Sequence, residues 1–255
     1  LQTIMHTWIN QDIDGAVEFI SQVEDVETKN NILESAMWAL ARSDPEKAME
    51  VAQSQMSGQA QDRAVSNVIR QIAREDPVKA AELASDLPYG RVYSNSVQAV
   101  ANEWGDREPM AALQWAETLT AGEEKEDAMN SILRSFADKE PEEAKVYLTQ
   151  MPEGENRSNM AGYIADKMAR NEPREALVWA KSLSADLAGD ATQTAISTWA
   201  SKDPRAVVDY LQTTGGTKEL NASAGTIAYD WARRDVKAAA DWSLGLEGDA
   251  QEEAV

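Results

Sequence analysis

The stretch WASKDPRAVVDYL, residues 199–211, decides the fold. It places an aromatic residue five positions before a proline and an acid directly before it. A small residue follows three positions after the proline and an aromatic one six after. The same order recurs along the chain. Prolines stand at 45, 77, 109, 141 and 173, each 32 residues from the last, and then at 204, one residue short. Counting 32 onward from Pro204 reaches Val236, and 32 back from Pro45 reaches Ile13, both in stretches that keep the pattern with the proline replaced. That makes eight anchors.

Four columns repeat around these anchors. The preceding residue is always acidic: Asp12, Asp44, Asp76, Glu108, Glu140, Glu172, Asp203 and Asp235. Three places after the anchor is Ala16, Ala48, Ala80, Ala112, Ala144, Ala176, Val207 or Ala239. Six places after it is Phe19, Val51, Leu83, Trp115, Tyr147, Trp179, Tyr210 or Trp242. Five places before it is Trp8, Leu40, Ile72, Trp104, Phe136, Met168, Trp199 or Trp231. Fixed self-similarity at this period is the signature of a repeat architecture.

Each column has a physical reading. Val65, Val68, Ile69, Ile72 and Ala73 are spaced i, i+3, i+4, i+7, i+8, one face of a first helix of about fourteen residues. Ala80, Leu83, Ala84 and Leu87 mark a second, shorter amphipathic helix. Between them, proline suits the first helical position because its missing N–H would have no partner there. Asp before it can cap the helix directly, whereas Glu helps mainly by charge. QMSG (55–58), LPYG (87–90), LTAG (119–122) and MPEG (151–154) end the second helices and turn the chain onward. Small residues beside large ones let neighbouring helices approach and interdigitate.

The expected architecture is therefore all-α: an α-solenoid, a right-handed superhelix of antiparallel helix pairs, with about eight 32-residue repeats in a single domain over residues 1–255. The one-residue deletion and TTGGTK (213–218) mark a local irregularity. The first copy starts inside its first helix and GDAQEEAV (248–255) opens a ninth, so a fragment of a longer array, truncated at both ends, is expected.

The opening of the second helix, as in Asp203, Pro204, Val207 and Tyr210, resembles the tetratricopeptide-like superfamily of helical-hairpin repeats, including its Sel1-like branch. It is also similar to "WA-x-x-DP-x-x-A" arrays of bacterial proteins. The period is 32 rather than 34, and the Leu-Gly pair usual in the first helix of tetratricopeptide repeats is missing. The resemblance implies a scaffold or peptide-binding role and carries over no catalytic residue.

Composition narrows the chemistry. The chain has 44 acidic against 24 basic residues, a formal charge of −20, which repels nucleic acid and anionic lipid. Cysteine is absent, so thiolate metal sites, disulfides and cysteine nucleophiles are excluded. That composition leans towards a bacterial periplasm or cell surface. No apolar run is long enough to insert in a membrane. His6, the single histidine, excludes a His-based triad or multi-His metal site and reads as a surface residue. The sequence contains no phosphate-cradling glycine loop, nucleophile elbow or calcium-loop spacing. NRS (156–158) and NAS (221–223) match the glycosylation sequon but are short. Capping and solvation account for the carboxylates. No cofactor and no enzyme activity are expected.

Seven of the eight tryptophans fall in the packing columns, which moves the functional question to the columns that packing leaves free. On the first helix these lie 14, 10, 7 and 3 residues before the anchor. Among residues that include Asp106, Asp127, Asp138, Asp166 and Asp190, they hold Trp38 and Arg42; Arg63, Asn67, Arg70 and Arg74; Asn102; Arg134; Tyr163 and Arg170; Tyr229 and Arg233. Seven of the 13 arginines lie here and none of the 11 lysines. Arg, Trp, Tyr and Asn make rigid, hydrogen-bonding interface contacts. The expected role is a non-catalytic scaffold gripping a protein or peptide, acidic or extended, along a concave face. The competing account of Arg42, Arg74, Arg170 and Arg233 is helix-end complementation and inter-repeat ion pairing. The other readings are a structural spacer of the bacterial cell envelope and a superhelical module of a cell-wall lytic enzyme with its catalytic part elsewhere.

Overall fold

A computed structural model of the chain describes residues 7–8 and 11–254. His6 lies outside the described residues, and with it the surface role expected of it. All regular structure among the described residues is helical. The helices are α1 (Ile13–Ser21), α2 (Val26–Ser43), α3 (Pro45–Gln55), α4 (Gly58–Glu75), α5 (Pro77–Ser85), α6 (Arg91–Gly105), α7 (Pro109–Thr118) and α8 (Glu123–Lys139). They continue with α9 (Pro141–Leu148), α10 (Glu155–Asn171), α11 (Pro173–Ser182), α12 (Ala185–Lys202), α13 (Pro204–Thr213), α14 (Thr217–Ala222), α15 (Ala224–Ala232), α16 (Val236–Leu244) and α17 (Asp249–Ala254). The chain divides into two compact units, Leu1–Ser135 and Phe136–Val255, with the division inside α8. No helix among the described residues is long and apolar enough to cross a membrane.

Each of the eight anchors opens a helix, and side-chain length decides how it is capped. Asp12, Asp44, Asp76, Asp203 and Asp235 each accept a hydrogen bond from the backbone N–H three residues on, at 2.9–3.0 Å. Glu108, Glu140 and Glu172 make no side-chain cap bond. The extra methylene carries the glutamate carboxylate past the free N–H groups, leaving only its charge to act on the helix terminus. Asp203→Ala is expected to cost about 1 kcal/mol in urea denaturation, and Glu172→Ala about half that or less.

The first helices α2, α4, α6, α8, α10 and α12 run 15–18 residues, longer than the fourteen of the apolar stripe. Except for α6, which stops at Gly105, they continue through polar residues to the capping acid, where proline closes off any further turn. The glycines of the turn motifs serve the next helix rather than ending the last. Gly58, Gly90, Gly122 and Gly154 all have positive φ, and the first helices begin at or directly after them. A side chain there would strain the backbone.

Within a copy, one residue links the first helix to the second, or three between α6 and α7 and between α15 and α16, and residues five before and six after the anchor meet across that link. Trp104–Trp115, Phe136–Tyr147, Trp199–Tyr210 and Trp231–Trp242 stack at 5.3–5.9 Å between ring centroids. Trp8–Phe19 does the same at 5.4 Å. Contacts nearly symmetric about the link mean that the two helices run antiparallel. The small column three after the anchor is buried in every copy, never more than 3% exposed. The aromatic column six after it packs less deeply than its periodicity suggests: Trp115, Tyr147, Trp179, Tyr210 and Trp242 are half-buried and Phe19 is exposed. Their inner faces cover the partner ring while an edge remains in water.

Between copies, first helices pack side by side, α2 on α4 and α4 on α6 in the first unit, α10 on α12 in the second. Their ion pairs share one spacing. In the first unit Arg63 pairs with Glu34, Arg91 with Asp62 and Arg74 with Glu103, each 29 residues apart. In the second, Arg157 pairs with Asp186 and Lys167 with Asp138 at the same separation. A constant difference near both helix ends requires parallel helices, and 29 rather than 32 offsets the partners by about one turn. The carbonyl ends are also covered from the next copy. Arg107 donates to the Arg74 carbonyl, Lys202 to that of Arg170, and Arg234 to those of Ser201 and Lys202.

The irregularity around TTGGTK splits what would be one first helix into α14 and α15, interrupted at Ser223. Gly215 takes φ +74°, and a Cβ on Gly216 would stand 2.9 Å from Leu211 Cδ2. The buried Ser223 hydroxyl donates to Gln193 Oε1 at 2.8 Å across to α12, and Lys181 pairs with Glu219 at 2.7 Å. Lys181 holds the Glu219 carboxyl below its ordinary pKa.

Candidate functional site

The stripe arises because the first helix uses one face for its own second helix and its flanks for neighbouring first helices, leaving the fourth side to water. Trp38, Arg42, Arg63, Asn67, Arg70, Arg74, Asn102, Arg134, Arg170, Tyr229 and Arg233 are exposed, and Tyr163 is half-buried. Trp38 is 57% and Tyr229 67% accessible, against 5% for Trp199 in the packing column. The column ten before the anchor is not uniformly free. Ala99 is buried there, because α4 and α6 close over that level of the stripe.

The arginines three before the anchor divide into two kinds. Arg74 bonds Glu103 of the next copy at 3.2 Å, and Arg170 bonds Asp166 one turn back in its own helix at 2.5 Å. Arg42 and Arg233 instead lie over aromatic rings four residues earlier, Trp38 at 5.8 Å and Tyr229 at 5.9 Å. Exposed cation–π pairs of this kind are worth about 0.5–1 kcal/mol and hold a guanidinium without neutralising it.

Arg63, which the helix-end argument leaves free, is held by Glu34 instead, its Nε and Nη2 both donating to Oε1 at 3.0 and 2.7 Å. The one-turn offset of the parallel helices brings Glu34 level with it. Arg70 has a different surrounding: its Nη1 donates to the Asn67 amide oxygen at 3.1 Å, and no carboxylate among the described residues pairs with it. Asn102 accepts from Gln98 at 2.9 Å and from Ser131 at 2.5 Å, so it serves the contact between first helices.

In the first unit these residues surround a recess of about 200 Å³ between α2 and α4. Met37, Ala41 and Val68 form an apolar floor, with Trp38 on one side and Arg70 and Arg74 on the other. Glu34 and Gln71 complete the wall. Glu34, Gln71 and the floor residues are what reading the stripe alone misses: the first two stand on the flank between neighbouring first helices, and the floor belongs to the buried core. With Glu34 tied to Arg63 and Glu103 to Arg74, Arg70 and Arg42 are the guanidiniums beside the recess that pair with no carboxylate among the described residues. They make a local positive field on a strongly acidic chain.

No family model, curated protein or solved structure matches the chain.

Proposed function

We propose that the chain is a non-catalytic helical-repeat scaffold, an α-solenoid of about eight copies, which binds a protein or peptide partner along the exposed side of its first helices. The observation that carries this reading is a division of labour between columns. Residues that repeat pack or cap, while those that vary from copy to copy are mostly in contact with water and include the arginines, asparagines, tyrosines and tryptophan of the stripe. A solvent-exposed tryptophan and tyrosine, each braced by a guanidinium, supply contact area with few rotatable bonds to immobilise on binding. The common spacing of cross-helix ion pairs supports an array in which the first helices align in register.

A second reading, a passive envelope spacer, draws on the ion pairs of Arg63 and Arg74, since those two cations are engaged within the chain. Site-specific photo-crosslinking separates the two. A benzophenone side chain at Asn67, Tyr163 or Tyr229 is expected to give a discrete adduct in the source cells. The same group at Glu82 or Glu175, on exposed positions of second helices, gives none. Equal labelling from both sets, or none from the stripe, contradicts the binding reading.

A further inference from the structure

We infer that the recess between α2 and α4 recognises an acidic residue and a nearby apolar residue of an extended peptide segment, the carboxylate on Arg70 and the apolar side chain on Trp38. The inference rests on the stripe being the binding face and adds the chemistry of what it binds.

Charge sets the first half. The chain carries 44 acids, and the stripe arginines Arg63, Arg74 and Arg170 are each matched to one of them. Arg70 pairs with no carboxylate among the described residues; its Nη1 bonds the neutral amide of Asn67. That bond uses Nη1 and fixes the plane of the guanidinium, leaving its other N–H donors for a ligand. A planar fork already oriented suits a carboxylate, which it can meet through two parallel bonds. Arg42, stacked on Trp38, adds positive potential.

Apolar surface sets the second half. Trp38 is 57% exposed beside a floor of Met37, Ala41 and Val68 that is itself buried, so the ring is the apolar surface that gains from covering by an aliphatic side chain. Alternate side chains of an extended segment point to the same side. An acid and an apolar residue separated by one position therefore reach Arg70 and Trp38 together. Glu34, which also lines the recess, is held by Arg63, whose Nε and Nη2 both donate to its Oε1.

The test uses the full chain labelled with 5-fluorotryptophan, the Trp38 resonance being assigned by its loss in Trp38→Phe. An acetylated, amidated peptide repeating glutamate-serine-leucine-serine is titrated against counterparts with glutamine for glutamate or serine for leucine. The glutamate–leucine peptide is expected to shift the Trp38 resonance saturably. The dissociation constant rises about tenfold in Arg70→Gln, which leaves the fold intact because Arg70 is exposed. It rises by a similar factor with either altered peptide, and further as salt is raised. Equal binding of the glutamine peptide, or full binding by Arg70→Gln, overturns the inference. So does a Trp38 shift by inorganic phosphate at lower concentration than by acetate, which assigns the site to phosphate. Lack of any Trp38 shift with stripe crosslinks retained overturns this chemistry alone; loss of the crosslinks as well overturns the binding face itself.

Discussion

Trp199→Ala is expected to destabilise the second unit by about 3–5 kcal/mol. Trp199 is 5% exposed and packs at 5.3 Å against Tyr210, across the link that joins α12 to α13. Removing the indole takes away the largest apolar surface on that pair and leaves a void lined by rigid helices joined through a single residue. Its neighbours Ala195, Ile196 and Ala200 are buried and too small or too fixed to refill the space. Trp199→Phe, which installs the residue found at the same column in Phe136, is expected to recover most of the loss. Urea denaturation followed by far-ultraviolet circular dichroism measures both. Because each copy contacts mainly its neighbours, hydrogen exchange is expected to accelerate first in residues 185–213 rather than uniformly.

The second large effect lies at Gly105. The column four before the anchor holds alanine at Ala41, Ala73, Ala137, Ala169, Ala200 and Ala232, and helix propensity favours alanine over glycine by about 0.5–1 kcal/mol. The packing reverses that preference. A Cβ on Gly105 would stand 3.0 Å from Ile132 Cγ1 and 3.2 Å from its Cα, so α8 itself would have to retreat. Gly105→Leu is expected to cost about 3 kcal/mol by overpacking. Ile132→Ala, at a fully buried position, is expected to cost about 2–5 kcal/mol by leaving a cavity. Combined, the two changes are expected to cost about 1–3 kcal/mol less than their sum, because the added side chain enters the space the isoleucine vacates. Strict additivity in the double-mutant cycle contradicts the close approach of α6 and α8 at this point.

The helices and their starts were legible because they rest on local chemistry. An Asp or Glu before proline, an alanine three later and an aromatic six later each act within one copy, so periodicity alone exposes them. Even the different behaviour of Asp and Glu follows from the length of one side chain. The lateral register between copies was not legible, since it depends on how parallel helices slide past each other. That slide decides the fate of individual arginines: it brings Glu34 to Arg63 and Glu103 to Arg74 while leaving Arg70 with Asn67. A signal existed in acid–base pairs separated by the period less one turn, such as Asp62 and Arg91 or Asp138 and Lys167. It has meaning only once the helices are known to lie parallel. The half-burial of Trp115, Trp179 and Trp242 has the same origin, because hydrophobic spacing gives the inward direction but not the depth of the neighbour.

The most direct test of the division between packing columns and a free binding face compares two tryptophans under one substitution. Trp38→Ala and Trp199→Ala are made separately, and urea unfolding is measured for each against the unaltered chain. Trp38→Ala is expected to change stability by about 0.5 kcal/mol or less beyond the loss of its stacking with Arg42, while Trp199→Ala costs several times more. A loss at Trp38 as large as that at Trp199 would mean that the stripe is part of the core, and would contradict the account.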